Sequence, residues 1–245
     1  MINLLSCGAF SCSKELDRDN QDAILLPQLR NGSFIFAIAD GVGSYYGAKE
    51  AAELAVKQLS VVTDEELLHP ETTLNVIKQK ISELTAISNE YSKAATTLSY
   101  CFITPDVLNI VHVGDTRVYV KKGMKLILLT KDHTQHQELL DDGLYTKKEL
   151  EALPGKNTLT AALTRSLTLR YQHKVMPLNE VTDSDGTITI FIMSDGAHHP
   201  WEQRPRFSLN TLSNVNTFSS SLFKRIQRLS PLDDYSLIAA QFRPE

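Results

Sequence analysis

Five aspartates stand where their side chains could meet in a folded chain: Asp22, Asp40, Asp115, Asp195 and Asp234. Asp40 and Asp195 each follow a strongly apolar run and precede a glycine, whereas Asp22 and Asp234 stand at the start of apolar runs. Because the strands of one sheet bring their ends to common edges, these carboxylates can converge. Converging carboxylates repel one another unless they are protonated or neutralised by cations. Ligands that are all oxygen suit hard ions such as Mg²⁺ and Mn²⁺.

The same residues also have a simpler interpretation. An Asp-Gly pair after a strand is typical of a turn. Asp115 lies in a Gly-Asp pair between two predicted strands, which is typical of a hairpin turn. Composition and spacing alone therefore predict no more than a candidate acidic metal site.

Short β-rich runs separated by helical stretches must position these aspartates. The predicted strands cover residues 22–26, 33–39, 98–103, 107–113, 117–120, 126–129, 188–193 and 236–242. The predicted helices cover residues 48–59, 71–92 and 219–228, and a polar, helical insertion covers 131–169. Strands that come in runs, with helices between the runs, favour a largely antiparallel α+β domain over a doubly wound parallel sheet.

Composition limits the function classes further. The chain has 245 residues, 42% of them apolar, and a net charge of −4. This charge lacks the basic surplus of a generic nucleic-acid-binding surface, and no apolar run approaches the roughly 18 residues that span a membrane. Three cysteines, Cys7, Cys12 and Cys101, are an odd and sparse set that favours a reducing, cytoplasmic location. We expect one domain over residues 1–245.

Eight segments, in order, resemble the motifs of the metal-dependent protein phosphatase family, also called the protein phosphatase 2C family. Each segment alone is weak evidence, but the ordered set is specific and extends from residue 18 to residue 242. The segments are RDNQD at 18–22, ADGVG at 39–43, ATT at 95–97, VGDTRVY at 113–119, LTKDH at 129–133, LTRSL at 163–167, MSDG at 193–196 and DD at 233–234.

The resemblance implies a sandwich of two mainly antiparallel sheets flanked by helical layers, with a two-metal centre at one end. It implies that Asp40 bridges both ions and that the carbonyl of Gly41 contacts one of them. Asp195 and Asp234 would hold the other ion.

The remaining roles are also implied by the resemblance. Asp22 would act in catalysis with Asp40, mainly through metal-bound water, and Arg18 would bind the substrate phosphate. Asp115 would belong to a third, weaker metal position that it shares with Asp195. The insertion at 131–169 would be the family's flap.

The activity that the resemblance implies is that of a bacterial stand-alone serine/threonine protein phosphatase that depends on Mn²⁺ or Mg²⁺. Such an enzyme hydrolyses phosphoserine and phosphothreonine by attack of a metal-bridging water or hydroxide. Its expected partners are phosphoproteins and an opposing serine/threonine kinase, with no nucleic acid and no membrane. One alternative is a phosphatase-like binding module with weak or no activity, and another is a metal phosphohydrolase for small phosphoesters.

The sequence departs from the family pattern at three places. Val42 stands where many members carry a histidine proposed as general acid. Ser44 replaces a common second glycine and is followed by two tyrosines, and Tyr235 replaces the usual asparagine after the last aspartate. Separately, Lys224, Arg225 and Arg228 form a basic cluster that we interpret as the solvated face of a helix.

Overall fold

The computed structural model describes residues 1–43 and 46–245, so the departure predicted at Ser44 and Tyr45 lies outside the described residues. The strands are β1 (Ile2–Cys12), β2 (Asp22–Arg30), β3 (Ser33–Asp40), β4 (Ala95–Thr96), β5 (Leu98–Ile103), β6 (Val107–Val113), β7 (Arg117–Lys122), β8 (Lys125–Leu128), β9 (Leu163–Thr164), β10 (Gln172–Pro177), β11 (Ile188–Met193) and β12 (Tyr235–Pro244). The helices are α1 (Ala48–Leu59), α2 (Asp64–Leu67), α3 (Pro70–Glu83), α4 (Gln135–Asp141), α5 (Lys147–Leu150), α6 (Leu178–Val181), α7 (Asp195–Gln203), α8 (Leu209–Leu212) and α9 (Val215–Leu229).

Two sheets of five strands form the centre of the fold. The first sheet has the strand order β1-β12-β11-β7-β8 and the second has the order β10-β6-β5-β3-β2, while β4 and β9 form a small separate pair. The strand pairings among the described residues are all antiparallel. The predicted antiparallel α+β class is therefore confirmed.

Strand β3 shows why a central strand can be apolar over almost its whole length. Successive side chains of a strand point to opposite faces. Ile35 and Ala37 pack with α1 and α3 on one side of the second sheet, whereas Phe34 and Phe36 pack between the two sheets. Because both faces are buried, neither alternate position can be polar.

The first sheet is covered in the same way on its outer face. Phe191 of β11 and Leu237 of β12 pack against α7 and α9, while Ile192 and Ile238 of the same strands face the other sheet. Three apolar cores therefore separate four layers, in the order helices, sheet, sheet, helices. This arrangement confirms the predicted four-layer sandwich.

Several predicted elements differ in detail. Gly114 and Asp115 do not form a hairpin, because β6 belongs to the second sheet and β7 to the first, so this turn carries the chain between sheets. The helix predicted over 71–92 ends as α3 at residue 83 and is followed by two short 3-10 turns. Strand β2 continues beyond the predicted residue 26, with a register irregularity between Leu25 and Gln28 that accommodates the intervening proline. None of the described helices is long and apolar enough to cross a bilayer.

Candidate functional site

The register of β2 against β3 places two of the predicted aspartates side by side. Asp22 at the start of β2 is the cross-strand partner of Asp40 at the end of β3. The main chain of Asp40 is held from the other direction, because its N–H donates to Thr97 Oγ1 at 3.1 Å and its carbonyl accepts from Thr96 Oγ1 at 2.9 Å. These two hydrogen bonds fix the main chain of Asp40 and do not involve its carboxylate.

Asp22 lies behind this edge and is 7% exposed. Its Oδ2 accepts a hydrogen bond of 2.8 Å from the hydroxyl of Ser194, which itself accepts one of 2.9 Å from the N–H of Ser236. The other oxygen, Oδ1, is buried without a protein partner. Burying a carboxylate oxygen without a hydrogen-bond partner costs free energy. A water or a cation bound next to Oδ1 would remove this cost.

Asp195 occupies the first turn of α7, directly after β11. The helix can begin here only because the next residue is Gly196: a Cβ at that position would lie 2.1 Å from the carbonyl oxygen of Asp234. This close approach brings the start of α7 against the start of β12. A carboxylate in the first turn of a helix also interacts favourably with the helix dipole.

Asp115 reaches the same region from the turn between β6 and β7. Gly114 before it adopts a φ of +102°, a conformation that favours glycine. The carbonyl oxygen of Asp115 lies 3.1 Å from Nε2 of His198, which is buried in α7. The turn between the sheets is thus tied to the helix that carries Asp195.

The two adjacent aspartates before β12 have different surroundings. Asp234 is 3% exposed, and its two carboxylate oxygens accept hydrogen bonds from the N–H groups of Lys14 at 2.9 Å and Gln21 at 2.7 Å. Asp233 is exposed and points into the cavity described next. Asp234, to which the family resemblance assigned an ion, therefore has its carboxylate engaged by main-chain donors, and Asp233 is the member of the pair that lines the cavity.

A cavity of about 320 Å³, called the carboxylate cavity below, collects most of the predicted residues. Those in its lining are Arg18, Asp40, Gly41, Asp115 and Asp195. Asp22 and Asp234 do not line it and lie buried behind its wall. Lys14, Asn157 and Asp233 line it without having been predicted as site residues, and a lysine or asparagine without a motif carries no signal in the sequence.

Arg18 reaches the cavity because the chain bends before β2. Asn20 Oδ1 accepts a hydrogen bond of 3.1 Å from the N–H of Asp22, which closes a turn typical of asparagine. The guanidinium of Arg18 donates to Gln21 Oε1 and lies 3.8 Å from Asp234 Oδ2. This placement leaves a half-buried cation at the edge of the cavity.

Burial and mutual repulsion perturb the acidity of the site. Burial raises the pKa of Asp22 to about 7, although hydrogen bonds from Ser236 and Ser194 oppose the rise. Burial raises the pKa of Asp115 to about 8 and that of Asp195 to about 6, with further increases from neighbouring carboxylates. Burial and the charges of Asp22 and Asp195 raise the pKa of Asp40 well above its ordinary value.

These observations test whether the residues fit divalent cations. Within residues 1–43 and 46–245, no three His, Cys, Asp or Glu side chains already stand as a closed set of ligands around one point. The donor chemistry nevertheless fits, because the cavity is lined by four carboxylates that repel one another and by the main chain of Gly41. Hard cations neutralise such a set and bind through oxygen.

Comparisons with known proteins show the family to which the chain belongs. The Protein phosphatase 2C family matches residues 15–240, and the chain belongs to that family. It is 25% identical over 187 residues to the serine/threonine protein phosphatase PstP of Mycobacterium tuberculosis, a match that covers 74% of this chain and 34% of PstP. It is 29% identical over 155 residues to the protein phosphatase PhpP of Streptococcus pneumoniae, covering 59% of this chain and 62% of PhpP.

The chain thus spans about a third of PstP and less than two thirds of PhpP. Among solved structures, the catalytic domain of PstP in complex with two manganese ions superposes with a TM-score of 0.77 at 20% identity. That match covers 99% of this chain and 100% of the other. At this identity the likeness establishes the fold.

Proposed function

We propose that this protein is a divalent-cation-dependent serine/threonine protein phosphatase. The observation that carries the proposal is the convergence of Asp40, Asp115, Asp195 and Asp233 on one cavity with Arg18 at its edge. Membership of the Protein phosphatase 2C family supports it, as do the names of the relatives PstP and PhpP. Its substrates would be phosphoproteins, and a serine/threonine kinase would oppose it.

The proposed ligands are Asp40 between two ions, the carbonyl of Gly41, Asp195, and Asp233 in the place first assigned to Asp234. Asp115 would contribute to a third, weaker position. When bound, Mn²⁺ or Mg²⁺ supplies a water of lowered pKa and screens the charge of the phosphoryl oxygens. The two manganese ions of the PstP catalytic domain support a pair of ions here.

The protein's own groups would do the rest. Arg18 would donate parallel hydrogen bonds to the phosphoryl oxygens, which suits a planar guanidinium. Asp22 would accept a hydrogen bond from a water in the site through Oδ1, the oxygen without a protein partner. Ser194 keeps the other oxygen of Asp22 in place. We also propose that the segment 131–169, which contains α4, α5 and β9, acts as a flap, because its residues Asn157 and Leu159 line the cavity.

Hydrolysis of a phosphothreonine peptide, compared with hydrolysis of a small phosphoester, tests the proposal. We expect EDTA to abolish peptide turnover and Mn²⁺ or Mg²⁺ to restore it, because the proposed ligands are all oxygens. Asp40→Asn should remove most turnover while raising the thermal stability in EDTA, since one repelling carboxylate is lost.

Four results would contradict the proposal in different ways. Full activity in EDTA, or near wild-type turnover by Asp40→Asn, would exclude the proposed pair of metal ions. Phosphopeptide binding without turnover would instead indicate a binding module. A higher kcat/KM for the small phosphoester than for the peptide would indicate a small-molecule phosphohydrolase.

A further inference from the structure

A second large cavity lies outside the proposed metal centre, between the end of α7 and the outer face of α9. It has a volume of about 810 Å³ and is called the basic groove below. The cationic side chains in its lining are Arg204, Arg206, Lys224, Arg225 and Arg228. Positions 224, 225 and 228 fall on one face of α9, because residues three and four apart are neighbours on a helix. Lys224 and Arg228 are exposed, as expected for the solvated face of a helix, and with Arg225 they also form one wall of the groove.

The cations of the basic groove have no carboxylate partner among the described residues, and one of them, Arg225, is held in place by other contacts. Arg225 lies with its guanidinium carbon 4.2 Å from the centre of the Phe207 ring. It donates hydrogen bonds to the carbonyl oxygens of Arg204 at 2.7 Å and Arg206 at 3.1 Å. In the part of the chain that the structure describes, none of the five cations forms an ion pair. A protein with a net charge of −4 therefore concentrates unneutralised positive charge at one place.

The basic groove and the carboxylate cavity each share lining residues with a third cavity. A smaller cavity of about 230 Å³, called the connecting channel below, lies between them. It shares Asp195 and Asp233 with the carboxylate cavity, and it shares Gln203 and Leu229 with the basic groove. Helix α7 runs alongside, from Asp195 to the residue before Arg204. Nine helical steps of 1.5 Å separate Asp195 from Arg204 by about 13 Å, which is the length of about four residues of extended peptide.

We propose that the basic groove binds an acidic segment of the phosphoprotein substrate, about four to six residues from the phosphorylated side chain. This inference rests on the proposed function, because the phosphate must occupy the carboxylate cavity for the spacing to apply. The connecting channel, lined in part by Ile226, Pro231 and Leu232, accommodates the intervening residues. The groove thus selects phosphoproteins by charge at a distance from the reacting group.

The surroundings favour an acidic peptide over a nucleic acid. A nucleic acid would carry its regular negative charge along the whole connecting channel, but the described residues that line this channel include no lysine or arginine to pair with it. The aromatic face at the groove, that of Phe207, is covered by Arg225 and is not free for base stacking. A peptide can combine an acidic segment, which matches the basic groove, with an uncharged segment, which matches the partly apolar connecting channel.

Matched phosphothreonine peptides test this proposal. One carries three glutamates at positions four to six from the phosphothreonine, another carries three glutamines there, and each is made with the block on the N-terminal or the C-terminal side. At low salt we expect one of the two glutamate peptides to have a kcat/KM about five- to tenfold above its glutamine partner, since each exposed charge pair contributes modestly. In 1 M salt, where the screening length is about 3 Å, this preference should disappear.

The variant Lys224→Gln/Arg228→Gln removes two cations and leaves Arg225, whose hydrogen bonds hold the adjacent loop. We expect the kcat/KM of this variant for the glutamate peptide to fall to within about twofold of its kcat/KM for the glutamine peptide. Lys57→Gln/Lys174→Gln removes the same charge from exposed positions on α1 and β10 and should keep the preference.

Binding of the unphosphorylated peptides, measured by fluorescence anisotropy, separates this proposal from the proposed function. Tighter binding of the unphosphorylated glutamate peptide, together with no turnover of any phosphothreonine peptide, would support the groove and reject the phosphatase activity. Turnover with equal kcat/KM for the glutamate and glutamine peptides on both sides would reject the groove and uphold the phosphatase. A preference that survives in Lys224→Gln/Arg228→Gln, or a single-stranded oligonucleotide that binds more tightly than the glutamate peptide, would also overturn the assignment.

Discussion

Asp233 and Asp234 allow a sharp test, because they are neighbours in the chain with opposite surroundings. The carboxylate of Asp234 is buried and accepts two main-chain hydrogen bonds, from Lys14 and Gln21. The carboxylate of Asp233 is exposed to the carboxylate cavity, and its Oδ1 accepts the N–H of Asp234 at 2.9 Å. Changing each to asparagine makes the same chemical substitution one residue apart. We predict that Asp234→Asn affects the stability of the fold and Asp233→Asn affects cation binding.

The expected size of each effect comes from these contacts. Asparagine at position 234 keeps one of the two oxygens that accept main-chain hydrogen bonds and replaces the other with an NH₂ group. This group is a donor and cannot accept from a main-chain N–H, so one hydrogen bond is lost. Such a loss costs about 1.5–3 kcal/mol, which lowers the Tm of a chain of this length by roughly 3–10 °C. Asparagine at 233 keeps the oxygen that accepts from residue 234 and removes a charge from the cavity. The Tm of Asp233→Asn in EDTA should therefore stay the same or rise. Its Kd for Mn²⁺ should increase by about tenfold or more, which corresponds to a loss of about 1.4 kcal/mol or more in binding free energy.

Thermal melts in EDTA and calorimetric titration with Mn²⁺ measure both quantities on the same preparations. The reasoning would be refuted by the opposite pattern: a stable Asp234→Asn protein that has lost Mn²⁺, and an Asp233→Asn protein that binds Mn²⁺ as the wild type does. In that case the cation would be held by Asp234, as the sequence resemblance implied, and the main-chain bonds of Asp234 would be replaceable.

Two further predictions concern pH and phosphate. The raised pKa values of Asp22, about 7, and Asp115, about 8, mean that the folded state without cations binds more protons than the unfolded state above pH 4. Stability is then lost as the pH rises. We expect the Tm in EDTA to fall by more than roughly 10 °C between pH 5 and pH 8, because each raised carboxyl pKa costs about 1.4 kcal/mol per pH unit up to its folded-state value. Mn²⁺ should flatten this slope, and a Tm in EDTA that rises with pH would contradict the assignment. Arg18→Ala should lower kcat/KM for a phosphopeptide roughly ten- to a hundredfold, the equivalent of about 1.5–3 kcal/mol, while the calorimetric Kd for Mn²⁺ stays near wild type; unchanged kinetics, or lost Mn²⁺ binding, would reject its role at the phosphate.

The sequence predicts most of the central strands because their environment leaves a strong pattern. Strands β3 and β11 are buried on both faces, so they are continuous apolar runs that end at the aspartates of the site. Strand β1 has no such run, because several of its side chains are partly exposed, and it was not predicted. The pattern therefore locates the strands that carry the carboxylates better than the strand at the edge of the first sheet.

The choice between Asp233 and Asp234 shows what the pattern cannot resolve. Neighbouring residues in an extended chain point to opposite sides, so a shift of one position exchanges the carboxylate that lines the cavity for one that is buried behind it. Which of the two carboxylates is buried depends on the positions of the main-chain N–H groups of Lys14 and Gln21. These donors belong to a segment more than 200 residues away in the chain. In the same way, the composition around Gly114 and Asp115 is that of a hairpin turn. Only the assignment of β6 and β7 to different sheets shows that the turn connects them.

Helix α7 extends from the carboxylate cavity to the basic groove, so a single helix connects the two charged regions of the molecule. It begins with Asp195 at the carboxylate cavity and ends before Arg204 at the basic groove. A negative charge at the start of a helix and a positive charge at its end both interact favourably with the helix dipole. The charges at the two ends therefore stabilise α7, whereas the crowded carboxylates at its start repel one another until cations bind. Because the helix fixes the separation of the two regions, changes in the spacing between phosphate and acidic segment should affect kcat/KM more than changes in the number of acidic residues.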